Sequence, residues 1–333
     1  NLYYLKWEKV VEYASEVLGS APSTVMRDWA AVKQLAWDGS VRTLDYISVG
    51  HSFNLLMIPM VTGNGSLFNA WSNSGARFTH NYRVAKRETY RAKRPMGGPW
   101  DRWKDNCIEK VYQHPPFIWQ DNDVNKIYMP KWPNQWEVTD PVTGVGIGRS
   151  TMVAFTTNET VLSRAEAYVH LKEYDKAVAD LNAWIGSFYL VGQNGIESLT
   201  RERIAEVYGD PSSDRYIAEY TALEPTSRKP LHPHGFTVEA GEQEHLIQTT
   251  LFCRRIETIA DGLRWGDIKR YGIVIDRVDD SAYNDDNTTG FTVAATLGEK
   301  DLRRALQLPQ EVITAGLEAN PRNENRPDHP FCQ

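Results

Sequence analysis

Three short segments carry residue types that could act in catalysis or hold a metal ion. Residues 50–54 read Gly-His-Ser-Phe-Asn, close to the G-x-S-x-G turn that presents a nucleophilic serine. Asn54 stands where the last glycine belongs, so a serine hydrolase is not indicated. Residues 144–150 are rich in glycine but lack the lysine and spacing of a phosphate-binding loop, which favours a turn beside a short strand. His232 and His234 flank a proline and supply two metal ligands at most, which favours a structural loop.

Carboxylate pairs are a second source of chemistry, because two of them hydrolyse a glycosidic bond when the fold sets them at the right separation. That separation is spatial and does not follow from the sequence. Most Asp and Glu residues fall in helical patterns or in polar runs such as 279–280 and 285–286, which are typical of solvated surface. Nothing in the sequence therefore indicates catalysis, a metal or a cofactor. A glycosidase remains an alternative.

Aromatic residues interleaved with amide and guanidinium groups suit the binding of sugars. A pyranose has an apolar face that stacks on a flat ring and a hydroxyl rim that needs hydrogen bonds. Trp71 and Trp100 lie beside Ser, Asn, Gly and Pro rather than inside an apolar period, which favours exposed rings. The candidate ligand-binding residues are Trp71, Asn73, Arg77, Trp100 and Trp103. The alternative is that these rings fill a satellite core beneath long loops.

Composition narrows the class of protein. The 333 residues include 37 Lys+Arg and 43 Asp+Glu, a formal net charge of −6, so the chain has no basic excess for nucleic acid. Hydrophobic residues at 41% and charged residues at 24% are globular values. No apolar run approaches the ~18 residues of a membrane span. The 3 cysteines are far apart and form no CxxC, which argues against a disulfide framework and a structural zinc site.

Apolar periodicity predicts the elements that must position these residues. Helices are expected at 2–18, 23–35, 158–184 with a break at 172–173, and 242–263. Residues 41–60 are apolar and compatible with helix or strand. About 85 residues before 148 are rich in Gly, Asn, Pro and Trp and are interpreted as irregular but ordered structure.

One internal repeat is visible. Residues 5–11 align with 172–178, matching aromatic, acid, Lys, aliphatic and Val in sequence. In the second copy, Ala167 and Ala177 are small enough for two helices to approach closely, and Tyr174 fills the turn, as in a tetratricopeptide unit. The alternative is two unrelated amphipathic helices.

The first copy begins inside its motif. Its partner helix is therefore expected before residue 1, which would leave Leu5, Tyr13 and Val17 exposed or covered by self-association.

The C-terminal hundred residues carry a signature. Residues 254–257 read Arg-Arg-Ile-Glu, and residues 262–272 read Gly-Leu-Arg-Trp-Gly-Asp-Ile-Lys-Arg-Tyr-Gly. This pair resembles the RRxE and G-x-R-W-x-D-x-K-R-aromatic-G motifs of the SusD/RagB family, the surface glycan-binding lipoproteins of Bacteroidetes. Residues 159–168 resemble the family's ExLLxRAEAY helix, and residues 306–321 its closing LPIPQxEI…NP segment. Gly266 departs from the family, which usually has an aromatic residue there, and a local packing gap is expected.

The resemblance implies a mainly α fold, with tetratricopeptide-like helical pairs forming a curved scaffold and a large irregular, loop-rich region packed on one side. It implies a single SusD-like domain over 1–333 that lacks its N-terminal part. Within it, 1–60 would be helical and tetratricopeptide-like, 61–150 the irregular Trp-rich candidate ligand region, and 151–333 a tetratricopeptide-like pair followed by the signature.

The resemblance also implies the function: non-catalytic binding of an oligo- or polysaccharide at the outer-membrane surface and delivery to a SusC-like TonB-dependent transporter. Membrane contact would be through a lipid anchor absent from this chain. A peptide or glycoprotein ligand is a variant within the family. A tetratricopeptide adaptor that binds peptides is a further alternative, although it leaves the Trp-rich insertion unexplained.

The signature itself is interpreted as architecture rather than as a binding site. Arg254, Arg255 and Glu257 lie within one helical turn and are expected to pair with each other or with Asp267. Trp265 and Tyr271 are expected to pack beneath the helix end, where glycines permit sharp turns.

Overall fold

A computed structural model describes part of the chain. The described residues are 1–27, 50–60, 93–98, 119–121, 126–128, 135–189, 191–193, 195–222, 226–258, 261–279 and 292–322. The α-helices are α1 (Trp7–Leu18), α2 (Thr157–His170), α3 (Tyr174–Phe188), α4 (Arg201–Gly209), α5 (Glu242–Glu257), α6 (Arg264–Arg270) and α7 (Gln310–Thr314). The strands are β1 (Asn54–Met60), β2 (Trp119–Asp121), β3 (Lys126–Tyr128), β4 (Gln135–Asp140), β5 (Val145–Thr156), β6 (Ile275–Asp279) and β7 (Thr292–Leu297). The described chain is thus a helical protein with small antiparallel sheets.

Helix α2 lies at the centre of the core. It packs against α1, α3 and α5, and α5 also contacts α4. Its buried face is lined by small and aliphatic side chains that are fully covered: Val161, Leu162, Ala165, Ala167 and Val169. The Thr156 side chain accepts a hydrogen bond from the Glu159 amide and so caps the first turn of α2. Ala167 and Ala177, which the sequence predicts at close helix contacts, are both fully buried, and Ala167 packs with Leu2 and Val10.

The break predicted at 172–173 is confirmed. Lys172 adopts a left-handed conformation with φ of 61°. The Glu173 amide donates to the Tyr168 carbonyl at 2.9 Å and the Lys172 amide to the Val169 carbonyl at 3.1 Å. This pair of bonds is the Schellman arrangement that closes a helix, so α2 ends and α3 begins within a few residues.

The turn before α1 repeats this geometry. Leu5 also has a left-handed φ, at 58°, and follows a 3-10 turn at Leu2–Tyr4. The Lys6 amide donates to the Asn1 carbonyl at 3.3 Å and the Leu5 amide to the Leu2 carbonyl at 3.2 Å. The repeat seen in the sequence therefore has the same closing bonds in both copies.

Helix α1 has one buried and one exposed side. Val10, Ala14 and Leu18 are buried. Tyr13 is 49% exposed and Val17 42%, whereas Leu5 is half-buried. Two of the three residues that the sequence assigns to an exposed apolar face are therefore exposed.

A three-stranded antiparallel sheet in the order β1-β5-β4 leads into this helical core. Residues 54–60 are strand, which resolves the helix-or-strand ambiguity and corrects the expectation that 1–60 is helical throughout. The expectation that 61–150 is irregular is also wrong for its last part, because β4 and β5 pair there. Gly144 turns this hairpin with a φ of 70°, and the strand beside it is 12 residues long rather than short.

Other boundaries differ from the prediction. The first helix begins at Trp7, and Pro22–Thr24 is a 3-10 turn, while most of the predicted helix 23–35 lies outside the described residues. The helix expected over 242–263 ends at Glu257, and Gly262, at φ 79°, turns the chain before α6.

Candidate functional site

The five candidate ligand residues, Trp71, Asn73, Arg77, Trp100 and Trp103, lie outside the described residues. The structure instead describes the points at which the Trp-rich segment is attached.

The segment from 61 to 134 leaves and re-enters the sheet at one place. Met60, the last residue of β1, pairs with Ser150, and Gln135, the first residue of β4, pairs with Arg149. Both partners are neighbours on β5, which lies between the two strands. Since adjacent strands lie about 5 Å apart, the two ends of the segment come within about 10 Å of each other. The Trp-rich segment is therefore an excursion that begins and ends beside the middle of β5.

Residues 93–98 fix this excursion to the helical core at a second place. Met96 is buried, and its carbonyl accepts a hydrogen bond from the Glu197 amide at 2.9 Å. Gly97 forms an isolated antiparallel bridge with Ile196. The Lys93 ammonium donates to the Asp214 carbonyl at 2.5 Å and to the Tyr216 carbonyl at 3.2 Å. Residues 93–98 thus lie along two loops that flank α4.

Glycine is required at this attachment. Gly97 and Gly98 have φ of 82° and 117°, a conformation that residues with a β-carbon rarely adopt. A β-carbon on Gly98 would lie 2.7 Å from Cδ1 of Ile196, and one on Gly97 would meet the carbonyl oxygen of Gly195. At Gly97 the two backbones approach too closely for a side chain between them, and at Gly98 the Ile196 side chain fills the space, so this attachment depends on both glycines.

The signature residues lie in a buried network of charges that joins α2, α5 and α6. The Arg254 guanidinium, fully buried, donates to Asp267 Oδ2 at 3.2 Å, to Glu159 Oε1 at 2.8 Å and to Ser163 Oγ at 2.9 Å. Asp267 also accepts from Arg270 Nη2 at 2.8 Å. The expected Arg254–Asp267 pair is therefore present, and it joins α5 and α6 to α2.

Glu166 is the second hub of this network. It is fully buried and accepts from Arg270 Nη1 at 2.5 Å and Nη2 at 3.1 Å, and from the Tyr271 hydroxyl at 2.7 Å. Burial acts to raise the pKa of Glu166, but the Arg270 and Arg254 charges and these hydrogen bonds outweigh it and bring the pKa down to about 2. Glu166 is thus an ion-paired carboxylate at neutral pH rather than a proton donor.

Glu257 has a partner that the sequence does not predict. Its carboxylate accepts a hydrogen bond from the Trp184 indole Nε1 at 2.8 Å, because α3 brings Trp184 against α5. The expected packing beneath the helix end holds in part: Tyr271 is fully buried, whereas Trp265 is only half-buried.

The gap expected at Gly266 is filled. A β-carbon on Gly266 would lie 2.7 Å from Cε1 of Tyr3. The Arg270 guanidinium lies 5.3 Å from the centre of the same ring. Tyr3 therefore occupies the space that the missing aromatic side chain would take.

An aromatic cluster covers the network on the side of α1. The Trp7 and His170 rings are stacked with centroids 4.0 Å apart, and Phe236 packs edge-on to Trp7, His170 and Tyr271. His170 Nε2 lies 3.0 Å from the Tyr271 hydroxyl, and burial lowers the pKa of His170 to about 4. His170 is thus a neutral, packed imidazole at neutral pH.

The segments that could act in catalysis are used structurally where the structure describes them. The His51 and Phe53 rings stack with centroids 4.6 Å apart, and the turn leads into β1 rather than into a helix, as a nucleophile turn would. The His232 and His234 amides donate to the Tyr271 and Arg270 carbonyls at 2.7 and 2.9 Å, which fixes this loop against the end of α6.

A cavity of about 550 Å³ lies between α4 and α5. It is lined by Arg201, Glu202, Ile204, Ala205, Glu242, His245 and Leu246. Arg201 is held in place there by Glu242, with Nε–Oε1 and Nη2–Oε2 distances of 2.5 and 3.0 Å.

Metal-binding clusters and membrane-spanning helices are both absent from the described ranges. Among those residues, no group of three or more His, Cys, Asp or Glu side chains is placed to hold a metal ion. None of the helices they form has the length and apolar character needed to cross a membrane.

Comparison with known proteins adds no relative: the chain matches no family model, no curated protein and no solved structure.

Proposed function

We propose that the protein binds a glycan at the outer-membrane surface, without catalysis, and passes it to a TonB-dependent transporter, as a SusD/RagB-like protein would. The observation that carries this proposal is the buried network around Arg254 and Glu166. Residues from two of the three segments on which the resemblance rests, 159–168 and 254–272, meet in this one network. That convergence is expected if the motifs are one architectural signature and not a chance similarity.

The paired turns support the finer proposal of tetratricopeptide-like units. Leu5 and Lys172 occupy equivalent positions in the repeat and share a left-handed conformation, and the helices that follow begin at the equivalent residues Trp7 and Tyr174. The equivalent Val10 and Ala177 are both buried. We therefore propose that α2 and α3 form one such pair and that α1 belongs to another.

The attachment of the Trp-rich segment supports a ligand region outside the scaffold. An excursion held at the sheet and again at 93–98 can present aromatic rings and hydrogen-bonding groups without altering the helical core. We propose Trp71, Asn73, Arg77, Trp100 and Trp103 as ligand contacts.

Affinity electrophoresis tests this proposal. The purified protein is run in native gels containing amylopectin, xylan, mixed-linkage β-glucan, galactomannan or polygalacturonan, and at least one polysaccharide should retard it. Trp71→Ala and Trp100→Ala should each weaken binding by about 1–3 kcal/mol, the scale of a lost aromatic stack on a flat ligand. Tyr4→Ala is the matched control, because Tyr4 is an aromatic residue 81% exposed on the scaffold.

Two outcomes would contradict the proposal. If no polysaccharide retards the protein, the proposal of a glycan ligand is wrong. If the protein releases reducing ends from a polysaccharide that it binds, it is a glycosidase instead. Binding that both tryptophan variants retain would place the site elsewhere.

A further inference from the structure

Helix α1 exposes an apolar face beside its buried one. Tyr13 is 49% exposed and Val17 42%, and they are four residues apart, so their side chains lie on the same side of the helix. Val10 and Ala14 lie on the neighbouring side and are buried, and Val10 packs with Ala167 of α2. The face formed by Tyr13 and Val17 therefore borders the contact between α1 and α2.

The internal repeat shows how the corresponding face is covered in the second copy. In the alignment of the two copies, Tyr13 corresponds to Asp180 and Val17 to Trp184, and both of these residues of α3 are buried. The Arg164 guanidinium of α2 donates to Asp180 Oδ2 and Oδ1, both at 2.7 Å. In α3, an α-helix with an arginine on its packing side thus covers positions that α1 exposes.

A row of carboxylates borders the exposed face of α1. Glu8, Glu12 and Glu16 are exposed and follow one another at intervals of four residues, so they line one side of the helix. Glu16 is three residues from Tyr13, which makes the two side chains neighbours on the helix surface. Lys9 pairs with Glu12 at 2.6 Å. One lysine does not balance three carboxylates, and like charges at this spacing disfavour a helix, so the row favours a positively charged partner.

This charge selects the occupant of the face. If two copies of the chain paired through antiparallel α1 helices about a two-fold axis, each row of glutamates would face the other. A helix with lysine or arginine beside its apolar stripe would instead form ion pairs with the row, as Arg164 does with Asp180. Amphipathic helices contact a partner through apolar side chains at i, i+3, i+4 and i+7, which suits a narrow face such as this one.

We propose that Tyr13 and Val17, bordered by Glu12 and Glu16, form a docking face for a basic amphipathic helix of a partner protein. This inference goes beyond the proposed function, because it assigns a protein-binding face to the scaffold and uses none of the candidate ligand residues.

Fluorescence anisotropy with two labelled model helices tests the inference on the whole chain. Both peptides carry the same leucine stripe, and the positions beside the stripe are lysine in one peptide and glutamate in the other. The chain should bind the lysine peptide about tenfold more tightly than the glutamate peptide. Added salt should reduce this difference, because it screens the exposed ion pairs.

Three variants locate the binding. Tyr13→Ser and Val17→Ser should each weaken binding of the lysine peptide by about tenfold, the effect of removing a side chain at the centre of an interface. Glu16→Gln should weaken it by up to about fivefold, as expected for an exposed ion pair. Val142→Ser and Glu318→Gln are the matched controls, because both residues are exposed on other segments.

Three results would overturn the inference. The first is that the lysine peptide does not bind, or binds no more tightly than the glutamate peptide. The second is that Tyr13→Ser and Val17→Ser bind as Val142→Ser does. The third is a dimer in analytical ultracentrifugation that Tyr13→Ser dissociates, which would make a second copy the occupant. A thermal melt of each variant checks the fold, and Val17→Ser decides the matter if Tyr13→Ser lowers the melting temperature.

Discussion

Replacing Glu166 by glutamine should strongly destabilise the fold. Glu166 is fully buried and accepts three hydrogen bonds, two from Arg270 and one from the Tyr271 hydroxyl. The variant keeps the shape of the side chain but leaves the Arg270 guanidinium without this buried counter-charge and turns an amide NH₂ toward it. Breaking a buried ion pair by removing one partner costs about 3–5 kcal/mol.

The pKa of Glu166 leads to a similar value for the free energy that this ion pair contributes to folding. The folded protein holds this pKa at about 2, against an ordinary value of 4.5, because the arginine charges outweigh the effect of burial. At about 1.4 kcal/mol per pH unit, the difference corresponds to about 3 kcal/mol of stability. The pKa is lowered on folding, so this stability is present above pH 4.5 and is lost as the pH falls from 4.5 toward 2.

Urea denaturation followed by circular dichroism measures this cost at pH 7. Glu239→Gln is the matched control, because Glu239 forms an exposed ion pair with Lys172 and such pairs contribute about 0–1 kcal/mol. Arg270→Met should cost less in the Glu166→Gln background than in the wild type, since the two side chains interact directly. A Glu166→Gln variant within about 1 kcal/mol of the wild type would refute the conclusion that this ion pair holds α6 to α2.

Three other changes probe the scaffold. Ala177→Leu should overpack the fully buried contact on α3 and cost about 1–3 kcal/mol, and an unchanged thermal melt would count against a close helix pair. Gly266→Ala should stabilise a Tyr3→Ala variant by about 0.5–1 kcal/mol, because alanine has the higher helix propensity. In the wild type the stabilisation should be smaller, because the new methyl group displaces the Tyr3 ring. Equal effects in both backgrounds would disprove the contact. His170 is neutral when folded because burial lowers its pKa to about 4, so stability should fall by up to about 3 kcal/mol as the pH drops from 6.5 toward 4. His170→Phe should remove the part of this loss that occurs above pH 4.5, and denaturation curves at pH 7 and 5 measure it.

The pattern of apolar residues was sufficient to predict the helices that bury a single face. The period of apolar residues placed α2 and α3 and the turn between them, because burial on one face repeats every three to four residues and the closing turn falls between two such runs. The same reasoning misplaced the end of the helix at 242–263. A sequence period does not show where Gly262 turns the chain, nor that α6 follows as a separate helix.

Contacts between residues far apart in the sequence could not be predicted from local patterns. β5 looked irregular because Gly146 and Gly148 interrupt its pattern, yet it forms a 12-residue strand since β1 and β4 pair with its two edges. Trp184 binds Glu257 from another helix, and the gap at Gly266 is filled by Tyr3, from the opposite end of the chain. Neither pairing leaves a signal in the residues around 257 or 266.

The network joins α2, α5 and α6, whereas the described attachment at 93–98 contacts the loops around 196–197 and 214–216, and under the proposed function this difference matters. Glu159, Glu166 and Asp267 are engaged by arginines inside the core, so under the proposed function the motifs that contain them describe how the helices pack rather than which ligand is bound. Ligand preference should then depend on the excursion between Met60 and Gln135 and on the loops beside 93–98. It follows that Glu166→Gln, assayed well below its lowered melting temperature, should bind the preferred polysaccharide with an unchanged dissociation constant, while Trp100→Ala should melt as the wild type does and bind more weakly. If Glu166→Gln loses affinity while still folded, the network reaches the site, and the division between scaffold and ligand region is wrong.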